Sequence, residues 1–228
     1  MMNLGEISMN KSKPFRLRVR GENACFTRPE MKVERVSYDV ITPSASRGIF
    51  ESILWKPAIG WRILQVDVLK PIKWESVRRN EVGKKMGKPS TAHMNGGRCK
   101  AMGIYIEKER QQRAGLFLKD VDYVIHAEFE MTDRAGPEDN VAKFEQMFLR
   151  RASQGQCFQQ PYFGCREFPV EFELIKLKEE LPEPIDATRD LGWMLYDMDY
   201  GGEEPMPQFF HAQLNQGSIN LRNVEVRS

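Results

Sequence analysis

Cysteine and histidine are both scarce in this chain of 228 residues, which has four of the first and three of the second. Cys25, Cys99, Cys157 and Cys165 include no Cys-x-x-Cys pair and have no histidine at zinc-finger spacing, which argues against a structural zinc site. They read as plain buried or half-buried thiols of a compartment in which disulfides do not persist. No uninterrupted apolar run is long enough to cross a bilayer, and the first dozen residues lack the apolar core of a secretory signal. A cytoplasmic chain without membrane contact is therefore expected. There is no internal repeat and no low-complexity tract. With 41% hydrophobic and 29% charged residues, the composition excludes a disordered protein and suits one main domain with an appendage.

The net charge of +2 conceals a segregation along the chain. Residues 73 to 113 carry eleven Lys or Arg against four acids, and residues 167 to 204 carry twelve acids against three bases. The positive stretch suits a phosphate backbone; the negative one suits solubility or a basic protein neighbour.

Residues 14 to 20, "PFRLRVR", alternate Phe15, Leu17 and Val19 with Arg16, Arg18 and Arg20, the period of a strand with one buried face. Three arginines on the outer face read either as a solvated surface or as a nucleic-acid platform, since like charges side by side repel unless an anion lies over them. "ITPSASRGIFESILWKP" predicts a helix capped by Thr42 or Ser44, with Pro43 in its first turn and Pro57 closing it. "GWRILQVDVLKPIKW" (60 to 74) predicts a second strand. From Glu75 to about Gln112 the chain is basic and glycine-rich with little apolar periodicity, and reads as an inserted mobile hairpin or loop. Alternation returns at 114 to 131, "AGLFLKDVDYVIHAEFEM", predicting a long strand. Asp139 or Asn140 can cap a second helix with Val141, Phe144, Met147, Phe148 and Ala152 on one face. "REFPVEFELI" (166 to 175) predicts a last strand.

Two successive strand–helix–strand units give a ferredoxin-like, RRM-like α+β domain over residues 14–178, with the basic insertion at about 75–112. Residues 179–228 read as an acidic, proline-containing linker followed by a small C-terminal β-rich piece.

Within "RRASQGQCFQQPYFGCREF" (150 to 168), Arg150 and Arg151 end the second helix, and Phe158, Tyr162 and Phe163 offer rings for an unstacked base. Equally, the rings can be core and "GQCF" a tight turn. In the insertion, Arg78, Arg79, Lys84, Lys85 and Lys88 form a basic arm, and "GGRCK" with Arg98 and Lys100 lets backbone approach an anion. The bland alternative is a solvated charge run.

Five stretches in order, "SYDVITPSASRGIFESILWKP", "VLKPIKWESVRRNEV", "RQQRAGLFLKDVDY", "QGQCFQQPYFGCREF" and "DLGWMLYDMDY", resemble the family-five CRISPR-associated proteins of the type I-C (Dvulg) subtype. The resemblance runs from about Phe15 to Tyr200. It implies an RRM-like domain that cuts CRISPR repeat RNA without metal or cofactor. It also implies that the chain then keeps the 5′ handle of the guide RNA beside the backbone and large subunits of the interference complex. The alternative is a non-catalytic handle-binding subunit. A generic RNA-recognition protein outside CRISPR would leave the five motifs unexplained.

The family's site is a tyrosine, a lysine and a histidine. The lysine is present here as Lys143, but the tyrosine's place is Leu54 and the histidine's is Phe144. Metal-free cutting needs a proton acceptor, a proton donor and a cation for the phosphorane charge. Lys143, near a helix N-terminus, is the candidate cation. Tyr38 and His126, and more remotely His93, are the candidate substitutes for proton transfer, each with an ordinary structural reading beside it.

Overall fold

The computed structural model of the protein describes residues 10–31, 33–96, 102–176 and 179–228. Strand β1 (Phe15–Ala24) is followed by α1 (Pro43–Ile53), β2 (Ile59–Val68), β3 (Lys73–Val82) and two four-residue helices, α2 (Thr91–Met94) and α3 (Ile106–Glu109). Then come β4 (Arg110–Met131), α4 (Val141–Ser153), β5 (Glu171–Ile175), β6 (Arg189–Asp199), β7 (Met206–Leu214), β8 (Ser218–Asn220) and β9 (Val226–Arg227). The main sheet has the order β5-β1-β4-β2-β8 with every neighbour antiparallel. The units β1-α1-β2 and β4-α4-β5 therefore interleave as a ferredoxin-like α+β fold.

The alternation in β1 decides which face is core. Phe15, Leu17 and Val19 are buried beneath the helices, with the Phe15 ring 4.7 Å from that of Phe148 and 5.8 Å from Trp61. Phe50 of α1 stacks on Phe148 of α4 at 5.5 Å. Burying each such ring stabilises the fold by about 2–3 kcal/mol. Thr42 caps α1 by accepting the Ala45 N–H at 3.3 Å, with Pro43 in the first turn where no donor is needed. Asn140 caps α4 by accepting the Lys143 N–H at 2.9 Å, and Phe144, Phe148 and Ala152 turn inward at helical spacing.

Three boundaries differ from the sequence reading. The strand expected over 60–74 stops at Val68 and a new one starts at Lys73, because the chain turns through Pro71, which has no N–H to give a ladder. The inserted segment is not a loop: β3 pairs with the first half of β4 from Lys73↔Lys119 to Val82↔Arg110. Solvent reaches both faces of this arm, so neither face needed apolar residues and the period-2 signal was missing. The 22-residue β4 changes partners around Asp120, a non-glycine residue at φ 54 whose carboxylate meets Lys70 at 2.5 Å and Lys73 at 3.5 Å. The last strand covers only Glu171–Ile175; before it, residues 161–169 fold into a turn closed by the Phe163 N–H to the Phe168 carbonyl at 2.8 Å.

The tail is tied back to the first domain. Strands β6-β7-β9 form a second sheet, but β8 pairs with β2 from Gln65↔Asn220 to Asp67↔Ser218. The Ile185 N–H of the acidic linker donates to the Val68 carbonyl at 2.9 Å. Arg47 of α1 grips Asp197 of β6 through two hydrogen bonds of 3.0 and 2.7 Å. Among the described residues, no helix is long and apolar enough to cross a membrane.

Candidate nucleic-acid interface and active site

Lys143 lies in the first turn of α4 with its ammonium 2.9 Å from Asp139 and its side chain 46% exposed. The Asp139 carboxyl is held below its usual range by Lys143 first, then by the Gly136 N–H, with the charge of Lys56 adding to the effect. Two lysines thus act on one carboxylate where the end of α1 meets the start of α4. Lys56 belongs to the "WKP" stretch, and the sequence reading passed over it.

The other two inherited positions are interior. Leu54 is fully buried at the end of α1, its carbonyl accepting the Trp61 indole N–H at 2.8 Å. Phe144 is 2% exposed and packs edge-on against Phe129 at 6.4 Å. Neither can exchange a proton, and both fill space in the aromatic core.

The candidate substitutes fare differently. Tyr38 is 2% exposed, with Arg28 stacked 4.5 Å over its ring and its hydroxyl against the Leu195 backbone. Burial pushes its hydroxyl pKa up, which makes it a core tyrosine. His93 sits at the arm tip, Nδ1 at 2.7 Å from the Ser90 hydroxyl. His126 has a built partner, because its Nε2 lies 2.7 Å from Asp67, which also accepts from the Ser218 hydroxyl at 2.6 Å and from the Gln65 amide at 2.7 Å. Burial alone would raise the Asp67 carboxyl, but these three hydrogen bonds outweigh it and hold the group ionised. An imidazole oriented by a buried carboxylate is suited to proton transfer. It does not stand with Lys143, however. His126 pairs across the sheet with Arg16 on the face opposite the helices, while α4 packs on the Phe15 face. The sheet separates the two.

On that outer face the arginine stripe has internal partners. Arg18 holds Asp122 through two hydrogen bonds of 3.1 and 2.8 Å, and Arg20 holds Glu171 at 3.0 Å. The repulsion that called for an anion is answered by β4 and β5, and Arg16 alone has no described ion pair. In the arm, Arg79 is drawn inward over Phe117 at 5.1 Å and onto Glu167, and Lys84 meets Glu109 at 3.4 Å. Arg78, Lys85 and Lys88 are exposed with no ion pair among the described residues. The last two continue past β3 toward a 370 Å³ hollow at the arm tip lined by Lys85, His93 and Tyr105 among others. Arg98 and Lys100 lie outside the described residues.

At the end of α4, Arg150 is exposed, whereas Arg151 donates to the Ile53 carbonyl at 2.9 Å and so completes the end of α1. The rings after it divide: Phe163 is fully buried core, Tyr162 is half-buried and Phe158 is 69% exposed. "GQCF" is a tight turn, with Gly155 at φ 65. Tyr162 and Phe158 line a 460 Å³ cleft against α1, together with Trp55, which the sequence reading did not single out.

Cys165 stands behind this turn, with Arg35 Nη1 at 3.6 Å from its sulfur and the Cys25 carbonyl at 3.9 Å. A hydrogen bond from the Cys25 thiol, helped by Arg35, brings the Cys165 thiol down to about 7, while the same hydrogen bond and burial push Cys25 up. Alkylation by iodoacetamide should reach Cys165 before Cys25, with a midpoint below the roughly 8.5 of a free cysteine. Arg35→Ala should move that midpoint upward. Peptide mass mapping that finds Cys25 modified first would refute the arrangement.

Comparison with known proteins converges on one group. A family model described as CRISPR-associated protein (Cas_Cas5) matches residues 15–222. The "CRISPR pre-crRNA endoribonuclease Cas5d" of Mannheimia succiniciproducens is 53% identical over 215 residues, covering 91% of this chain and 94% of the relative. The protein of the same name from Thermus thermophilus is 37% identical over 226 residues, covering 91% and 90%. A crystal structure of a CRISPR-associated protein superposes with a TM-score of 0.72 at 22% identity, over 96% of this chain and 99% of that one, and agrees with the fold.

Proposed function

This chain belongs to the CRISPR-associated Cas5 family, and on that premise we propose that it is an endoribonuclease that cuts CRISPR repeat RNA and keeps the 5′ handle of the product. The observation that carries the reading is the 53% identity over almost the whole of a pre-crRNA endoribonuclease. The product stays bound in a type I-C interference complex, in the cytoplasm, beside that complex's backbone and large subunits.

Cutting proceeds by attack of a ribose 2′-hydroxyl on the adjacent phosphorus. The 2′-oxygen loses its proton and forms the new P–O bond, the bond to the 5′-oxygen breaks, and that oxygen takes up a proton. The products are a 2′,3′-cyclic phosphate and a 5′-hydroxyl. Lys143, with Lys56 beside Asp139, supplies positive charge where the phosphorane gains negative charge. The exposed cations of the arm, Arg78, Lys85 and Lys88, hold the RNA backbone.

The deciding experiment incubates purified protein with end-labelled repeat RNA in EDTA. A single discrete cut, with a cyclic phosphate on the upstream fragment, is expected. The second reading, a non-catalytic handle-binding subunit, is favoured by the buried, apolar Leu54 and Phe144. Intact RNA in repeated trials with tight binding would select it.

A further inference from the structure

Helix α1 turns a face of small residues, Ser44, Ala45, Gly48 and Ser52, toward a 460 Å³ cleft. Nothing fills the space above that floor, and a Cβ added at Gly48 would meet no atom within 4 Å. Large rings stand around it and remain in water, Trp55 at 56% and Phe158 at 69% exposure. Both leave apolar surface in water that a bound ligand could cover.

The wall that carries Phe158 is fixed. Its N–H donates to the Ser52 carbonyl at 3.0 Å, which pins the turn to α1. Gly164, at φ 76 on the same wall, sits where a Cβ would come within 2.0 Å of the Cys25 carbonyl oxygen, so the close approach of the two segments depends on glycine. Polar groups line it as well: the hydroxyls of Thr27, Ser44, Ser52 and Tyr162 and the Gln159 amide, while Thr42 is occupied in capping α1 and the one acid, Glu51, is paired with Arg47 at 2.7 Å. Two exposed rings, several hydroxyls with an amide, and a volume suited to one nucleotide describe a small-ligand site. Two cations are attached to the chain on either side of Trp55: Arg151 donates to the Ile53 carbonyl, and Lys56 is the next residue after Trp55.

We propose that this cleft takes one unstacked nucleobase of the bound RNA against Trp55 and Phe158, with the adjoining phosphate at the Lys56 end. The proposal rests on the RNA-binding reading above and adds a specificity pocket on α1. Ring-on-base stacking is worth about 1–3 kcal/mol per base, or about fivefold to 150-fold in affinity.

The test measures affinity for a set of repeat RNAs, each lacking one base, against the wild type, Trp55→Ala, Phe158→Ala and the conservative Trp55→Phe. One abasic position should cost the wild type about tenfold or more and cost Trp55→Ala nothing further, because the partner ring is already gone. Trp55→Phe should retain most of the discrimination. Both rings are exposed, so the variants should keep the wild-type melting temperature, which is measured alongside. Equal losses for every variant at every abasic position overturn the pocket while leaving RNA binding intact. Unchanged RNA affinity with failed assembly onto the other complex subunits overturns it too, and assigns the cleft to a protein side chain. A wild type that binds no repeat RNA overturns the underlying reading.

Discussion

Lys143→Ala should slow single-turnover cleavage of repeat RNA by about a hundredfold or more while leaving binding almost unchanged. Removing one fixed donor of transition-state charge costs on the order of 10²–10³ in rate. Binding spreads over many phosphates, so one lysine fewer is a small part of it. The pairing with Asp139 supplies a control that separates electrostatics from helix structure. Asp139→Asn keeps a polar group at the α4 entry but releases the ammonium, and should cut at least as fast as the wild type. Lys143→Arg should recover part of the rate, since the charge returns in another shape. EDTA should change none of these rates if the 2′-hydroxyl attacks without a metal. If Lys143→Ala cuts at the wild-type rate, the chemistry lies elsewhere, and His126→Ala is the next variant to assay. Asp67 and Arg16 on the same outer face would then form the site with it.

Restoring the family's residues is a poor test of the site. Leu54 and Phe144 are enclosed, so Leu54→Tyr with Phe144→His would set a hydroxyl and an imidazole among Trp61, Phe129 and their neighbours without partners. A buried unpaired polar group costs about 1–3 kcal/mol, and a lowered melting temperature would obscure any gain in rate.

The strands and helices that pack on one another were legible because packing leaves a period. Phe15, Leu17 and Val19 every second residue, and Phe144, Phe148 and Ala152 every fourth, repeat because one side of each element is excluded from water. The arm left no such trace, since β3 and residues 110–114 of β4 have no buried position and their alternation is largely polar with polar. The site was legible by type but not by place. Arg18 and Arg20 looked like a platform because Asp122 and Glu171 are 104 and 151 residues away in sequence, and only the sheet register brings them together. Trp55 went unnoticed and Phe158 could not be told from the buried Phe163 for the converse reason: an exposed ring and a buried one are the same letter.

Charge reversal in the arm should have the second large effect, and the structure changes which residues to reverse. Arg79 is unsuitable, because its guanidinium lies over Phe117 and Phe168 and pairs with Glu167, so a glutamate there would damage packing. Arg78, Lys84, Lys85 and Lys88 are exposed, and their replacement should leave the melting temperature unchanged. If they neutralise phosphates, each phosphate left without its cation removes about 0.7 from the slope of log K against log salt for a single strand, so the quadruple glutamate variant should flatten it by up to about 3. Affinity at low salt should fall by about a hundredfold or more, and the deficit should shrink as salt rises because the wild type then loses its advantage. The single-turnover rate at saturating protein should stay near wild type if the arm holds the substrate and Lys143 acts on the reacting phosphate. A rate defect that persists at saturation would mean that the arm also shapes the site. Unchanged affinity together with an unchanged slope would remove the arm from the RNA altogether and return its cations to solvent.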